Sequence, residues 1–263
     1  MSGIITAVLL VVVISLIVGV VLAAASVLME VPTDEKTEKI EESLPGANCG
    51  ACGYSGCAGY AAALSNGEAQ LGLCSLGGQE AIDAIAPIIG TQAVKSVPKT
   101  AVVHCGGNDS NTAKMAEYQG VRSCACANQL FAGLGKCLYG CIGYGDCVHV
   151  CEYGAISIND GVAQVNVEKC RACGKCVNVC PKKLIAIEPK RPHAVVKCIN
   201  CDKGAQTKKS CAVGCIGCMK CANECSLGAI RIEKFHAVID AEKCTGCEKC
   251  VSVCPQHVIE MSR

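Results

Sequence analysis

Tryptophan is absent from this 263-residue chain and phenylalanine occurs only twice. With aromatics at 3% of residues, a large core built on ring packing is excluded, because aromatic side chains ordinarily dominate buried area. Charge is scarce too. Asp, Glu, Lys and Arg make up 18% of the chain and nearly cancel, to a net +1, which lacks the strongly basic balance of a nucleic-acid-binding chain. No G-x-G-x-x-G, phosphate loop or nucleophile motif occurs, so the chain has no readable NAD, flavin or catalytic site of its own. No C-x-x-C-H is present for covalent haem. The five histidines, His104, His149, His193, His236 and His257, show no metal-ligand spacing.

The amino terminus lacks charge altogether. No side chain from Ser2 to Met29 is ionisable, and Ile4 to Leu28 is mostly Ile, Val, Leu and Ala. That exceeds the ~20 apolar residues needed to cross a bilayer as a helix. Ala23-Ala24-Ala25 resembles a signal-peptidase site, but a signal peptide needs a basic leading segment and a shorter apolar run, and no Lys or Arg precedes Lys36. A single uncleaved transmembrane helix over 1–29 is therefore expected, with 30–43 as a polar spacer. Asp34, Glu35, Lys36, Glu38, Lys39, Glu41 and Glu42 mix both signs, so flanking charge does not set the orientation. The thiols that follow belong in a reducing compartment, which places the bulk of the chain on the cytoplasmic side of the plasma (inner) membrane.

What the chain has in excess is cysteine, 26 of them. Cys170, Cys173, Cys176 and Cys180 precede Pro181, and Cys244, Cys247, Cys250 and Cys254 precede Pro255. C-x2-C-x2-C-x3-C-P sends three thiolates to one [4Fe–4S] cube and the fourth to a second cube. A disulfide scaffold would require a short secreted chain, and zinc sites pair two C-x2-C knuckles across a longer gap. Iron–sulfur chemistry fits the spacing better than either. A different run, Cys49, Cys52, Cys57 and Cys74, supplies four ligands for one self-contained cube, with Gly50, Gly53 and Gly56 allowing a tight fold around it. A helix over Ala58–Leu64 and an amphipathic helix over Gln79–Ile89 are predicted beside it.

From Cys137 the chain duplicates itself. Cys137, Cys141, Cys147, Cys151, Cys170, Cys173, Cys176 and Cys180 recur 74 positions later as Cys211, Cys215, Cys221, Cys225, Cys244, Cys247, Cys250 and Cys254. Each repeat reads as a ferredoxin-like unit holding two clusters, with a β-hairpin (155–167 and 230–239) between its cysteine runs. Cross-ligation puts Cys215, Cys218, Cys221 and Cys254 on one cube and Cys225, Cys244, Cys247 and Cys250 on another. In the first unit it groups Cys151 with Cys170, Cys173 and Cys176. The last cube would use Cys141, Cys147 and Cys180, but Tyr144 stands where the second unit has Cys218. Cys137 is the expected replacement, and a three-iron cluster is the competing reading. Ala101-Val102-Val103-His104-Cys105 and Ala194-Val195-Val196-Lys197-Cys198 echo each other, so the same strand is expected ahead of each unit. A sixth cluster drawn from Cys105, Cys124, Cys198 and Cys211 would tie the units together, leaving Cys126 and Cys201 without a role.

The expected architecture is α+β. It consists of the membrane helix (1–29), the spacer (30–43), a four-cysteine domain (44–78), a helical connector (79–136), a first ferredoxin-like unit (137–193), a linker (194–210) and a second unit (211–263).

The membrane span followed by GANCGACGYSGC, CLYGCIGYGDCVHVC, KCRACGKCVNVCPK and KCTGCEKCVSVCPQ resembles the B component of Rnf complexes. These are membrane-bound ferredoxin:NAD+ oxidoreductases that move sodium ions or protons. The resemblance covers essentially the whole chain. It implies an electron-transfer subunit that takes electrons from reduced soluble ferredoxin and passes them to flavin- and NAD-binding partner subunits, and so an enzyme only as part of its complex. Glu152 and Ser226 depart from the Pro common after that cysteine in ferredoxin motifs. The alternative is a membrane-tethered polyferredoxin serving a hydrogenase or a reductive activator. Lys182, Lys183, Lys190, Arg191, Lys197, Lys203, Lys208 and Lys209 concentrate near the junction of the units. They offer either a docking face for an acidic ferredoxin or an ordinary solvated surface.

Overall fold

The computed structural model describes residues 2–28, 34–130 and 132–262. Helix α1 (Ser2–Leu28) is apolar all round, and its stretch Gly3–Ala24 is long and apolar enough to cross a membrane, with none of it buried against the rest of the chain. Such a helix bonds its backbone internally and presents mostly apolar side chains outward, which suits lipid. Met1 and Met29, the ends of the expected span, lie outside the described residues, as do residues 30–33 of the expected spacer.

The rest of that spacer is a correction. Residues 35–42 form α2 (Glu35–Glu42), capped where the Lys36 amide donates to Asp34 Oδ1 at 3.3 Å. Ile40 and Leu44 lie four residues apart, on one helical face. Both are buried in a core with Tyr60, Ala61, Leu64 and Ile85 from α3 (Cys57–Ser65) and α4 (Gly78–Ile89). The charged side chains that suggested a spacer are the outer face of this helix. It belongs to the four-cysteine domain.

The remainder forms two units with the same topology. In the first, β1 (Lys99–Val103), α5 (Cys124–Asn128), α6 (Asp146–His149), the hairpin β2 (Ile156–Asn159) and β3 (Val162–Val165), α7 (Lys175–Val179) and β4 (Ile185–Pro189) follow in order. In the second they are β5 (Ala194–Val196), α8 (Gly204–Ser210), α9 (Lys220–Glu224), the hairpin β6 (Ile230–Glu233) and β7 (His236–Ile239), α10 (Lys249–Ser252) and β8 (Ile259–Met261). Each unit has two antiparallel ribbons. One is its hairpin, with Ile156 opposite Val165 and Ile230 opposite Ile239. The other joins its first strand to its last: β1 to β4, with Ala101 opposite Ile187, and β5 to β8, with Val195 opposite Glu260.

These closing strands move the unit boundaries. β1 lies in the stretch expected as a connector and β5 in the stretch expected as a linker, yet among the described residues each supplies the only ladder partner of its unit's final strand. The repeated Ala-Val-Val words are those two strands.

The hydrophobic cores are thin. Each unit's core mixes Ala, Val, Ile and Leu with the cysteines themselves, Cys105, Cys147 and Cys176 in the first unit and Cys215, Cys221, Cys250 and Cys254 in the second. One close approach recurs in both repeats. A β-carbon on Gly143 (φ +82°) would meet Gly161 O at 2.5 Å, and one on Gly217 (φ +64°) would meet Phe235 O at 2.6 Å. Only glycine lets the cysteine loop lie against the hairpin turn there.

The units are joined by a buried polar contact. Glu188 on β4 accepts from His104 Nε2 at 2.9 Å and from His193 Nε2 at 2.7 Å, and each ring places Nδ1 against a carbonyl, Val196 O at 2.9 Å and Arg191 O at 2.8 Å. A ring that meets an oxygen acceptor at both nitrogens donates from both only as imidazolium. Burial alone would raise the Glu188 carboxyl, but hydrogen bonds and charge from the two histidines outweigh it and hold the group below its ordinary value. Arg191 adds hydrogen bonds to the carbonyls of Ala241, Glu242 and Cys244 in the second unit. Glu188→Ala leaves the buried His193 ring and the half-buried His104 ring without their shared acceptor. The expected loss is about 3 kcal/mol, read as reduced thermal stability and faster hydrogen exchange in β4 and β5.

Candidate metal centres

The thiols gather in sets of four around small hollows. In the amino-terminal domain the Cys57 amide donates to Asn48 Oδ1 at 2.7 Å. The Tyr60 hydroxyl, buried behind α3, donates to Gln70 O at 2.8 Å and accepts from the Leu73 amide at 3.2 Å. These bonds tie the loop carrying Cys74 to the helix carrying Cys57. Cys74 has Cys57 and Cys49 as charge neighbours, and Tyr60 lies beside Cys74 and Cys52. Gly50, Gly53 and Gly56 all adopt positive φ.

Three further sets follow the cross-ligation pattern. Cys151, Cys170, Cys173 and Cys176 line one hollow, and Cys225, Cys244, Cys247 and Cys250 line its counterpart. Cys221 is flanked by Cys215, Cys218 and Cys254.

The structure exchanges two of the expected partners. The hollow holding Cys141, Cys147 and Cys180 is completed by Cys124, not by Cys137. Cys137 instead joins Cys105, Cys198 and Cys211 in a separate hollow between the two units. The cause is the segment between β1 and the first cysteine run, which folds back over Tyr144. Tyr144 stacks on Tyr118 with centroids 6.0 Å apart, and Arg122 lies 5.7 Å above its ring. Asp146, at the start of α6, then accepts from Ser123 Oγ at 2.9 Å, the Cys124 amide at 2.9 Å and the Ala125 amide at 3.0 Å. That carboxylate holds the first turn of α5 with Cys124 facing the hollow. Sequence spacing favoured Cys137 because it is near in the chain. The missed signal was Tyr144 itself, an aromatic that anchors the distant segment.

The donor sets fit iron–sulfur cubes. Each hollow offers four thiols, the donor number of one cube. Amides point at the sulfurs as they do around such clusters: Ala101 and Ala172 to Cys170, Ala155 to Cys151, Ala194 to Cys244, Ala237 to Cys215 and Gly77 to Cys74, all at 3.3–3.4 Å. Burial pushes the thiols of Cys105, Cys176 and Cys221 up to about 11 and those of Cys147 and Cys198 to about 12. Metal uptake at neutral pH therefore displaces protons from these groups.

Two thiols stand outside every set. Cys126 sits one position past the Cys124–Ala125 turn, and Cys201 donates to Ile199 O at 3.5 Å. Several cations expected on a docking face are used internally. Lys182 donates to the carbonyls of Ala132 and Leu138, and Lys190 pairs with Glu168 at 3.2 Å.

Comparison with known proteins finds iron–sulfur families along the same segments. A family described as a putative Fe–S cluster domain matches residues 44–75, and a 4Fe–4S dicluster domain matches residues 136–184 and 214–258. The chain is 40% identical over 245 residues to the B component of the Na+-translocating ferredoxin:NAD+ oxidoreductase complex of Acetobacterium woodii, covering 93% of this chain and 74% of that relative. It belongs to this B-component family. Other members include the B component of the ion-translocating oxidoreductase complex of Methanosarcina acetivorans, 38% identical over 93% of both chains. The B component of the proton-translocating ferredoxin:NAD+ oxidoreductase complex of Clostridium ljungdahlii is 34% identical over 87% of this chain and 81% of its own length. Like the family, the chain carries 4Fe–4S clusters, works within a multisubunit oxidoreductase and has an apolar helix suited to membrane association.

Two outcomes check these sites. Cys124→Ser is expected to disturb the same cluster signal as Cys141→Ser, whereas Cys137→Ser disturbs the one that Cys198→Ser disturbs. Electron paramagnetic resonance of the four variants distinguishes this from the reverse pairing. Because the cores are largely cysteine, anaerobic iron chelation is expected to abolish the cooperative unfolding of residues 99–262, read by circular dichroism and hydrogen exchange.

Proposed function

We propose that this chain is the electron-transfer subunit that carries electrons from reduced soluble ferredoxin into an ion-translocating ferredoxin:NAD+ oxidoreductase, through six [4Fe–4S] sites in series. When bound, each cluster supplies one-electron redox chemistry. The chain supplies ligands, insulation and order. α1 is a single membrane span and the rest of the chain is cytoplasmic, a reading supported by 26 free thiols.

The observation that carries the proposal is the adjacency of the sets. Cys49 neighbours Tyr153 beside the Cys151 set, where a β-carbon on Gly174 would lie 3.9 Å from the Ala51 methyl. Cys176 neighbours Cys147 of the next set. The Cys141 amide donates to Cys105 Sγ at 3.4 Å, reaching the set between the units. Cys198 neighbours Cys215, and Cys215 and Cys221 share a core with Cys250 and Cys254. Among the described cysteines only Cys218 and Cys247 are exposed, both in the second unit. Electrons therefore enter at the second unit and leave from the amino-terminal domain, beside the membrane helix. The acceptors there are flavin- and NAD-binding partner subunits.

Iron near 24 per chain is expected, against 20 for five sites. In the assembled complex, Cys198→Ala should leave ferredoxin able to reduce the second unit while lowering ferredoxin-driven NAD+ reduction at least 100-fold. Unchanged NAD+ reduction in a variant that has lost four irons would refute the series path.

A further inference from the structure

The set between the units differs from the other five in its surroundings. Asn200 is 1% exposed. Its amide N–H donates to Cys198 Sγ at 3.4 Å, its side-chain Nδ2 donates to Cys137 Sγ at 3.5 Å, and its Oδ1 is fixed by the Asp202 amide at 2.7 Å. That last bond leaves Nδ2 no choice but to face the sulfur. Among the described residues no other side chain donates to a cysteine sulfur.

Thr112 offers a second donor, one that no protein group uses. Its Oγ1 is buried with no hydrogen-bond partner in the protein, and the residue lines the same hollow as the four thiols. A β-carbon placed on Gly107 would lie 2.8 Å from that oxygen, 3.2 Å from Cys211 Sγ and 3.8 Å from Cys105 Sγ. The hydroxyl thus lies on the wall of this hollow beside Gly107, with no thiol of the set accepting from it. A buried hydroxyl without a partner is costly, and a cluster held in this hollow would bring a sulfur acceptor to it.

One-electron reduction adds a negative charge to an iron–sulfur group, and hydrogen bonds to its sulfurs stabilise that charge. Resting on the six-site reading above, we propose that the Asn200 amide and the Thr112 hydroxyl raise the reduction potential of the inter-unit cluster above those of its two neighbours. The middle of the path then becomes the place where an electron rests. An electron arriving from the Cys215 set stays there until the Cys141 set is free to take it.

The test is an anaerobic redox titration of the full chain, followed by electron paramagnetic resonance, with the inter-unit component assigned by its loss in Cys198→Ser. In the wild type this component should have a higher midpoint than its neighbours. Asn200→Ala and Thr112→Val should each lower its reduced-to-oxidised ratio at a fixed potential about tenfold, about 59 mV for a one-electron couple. The other components stay in place, and Thr112→Ser keeps the wild-type value. Should Asn200→Ala lose four irons, the Thr112→Val and Thr112→Ser pair decides. An unmoved or raised midpoint with iron still near 24 overturns the tuning while leaving the six sites standing. Wild-type iron near 20 removes the site and the proposal together.

Discussion

Bonding between thiolate and iron is the interaction on which the rest of this structure depends. A chain with no tryptophan and two phenylalanines cannot close its cores by apolar burial alone. The cysteine side chains occupy the central positions that Leu or Phe would fill elsewhere. Backbone order follows from the same demand. Left-handed residues such as Met219 and Glu248, at φ +65° and +63°, lie where Gly145 and Gly174 stand in the other repeat. Strain of that kind persists only where the surroundings fix it, and here the fixed points are neighbouring ligands.

Duplication explains the symmetry of the two units, and divergence explains how they are joined. The second unit keeps its local cysteine at position 218. The first has Tyr144 there and draws Cys124 from a segment that the second unit lacks. Releasing Cys137 from local duty makes it available, with Cys211, to a set shared by both units. The loss of one ligand in one repeat and the presence of a shared site are two aspects of one rearrangement.

Much of this was legible in the sequence. The membrane helix, the four-cysteine run, the duplicated motifs and the hairpins all follow from periodicity or from spacing that repeats. Three other features did not. Ile40 and Leu44 are two apolar residues among many charges, so the buried face of α2 is invisible to composition. The echoed Ala-Val-Val words marked β1 and β5 as strands, but their partners lie about 90 and 65 residues away, and nothing local marks that pairing. The exchange of Cys124 and Cys137 depends on Asp146 and Tyr144 acting across a loop. Chain proximity is a poor guide where a ligand arrives from another direction.

The inter-unit set has a consequence for biogenesis. Its ligands come from positions 105, 137, 198 and 211, so it cannot be complete until most of the chain has left the ribosome and both halves have folded against each other. On the six-site path proposed above, a truncated or half-folded product would hold clusters at its local sites and lack the link between its ends. On that path connectivity belongs to the finished molecule alone, and an unfinished one would be insulated.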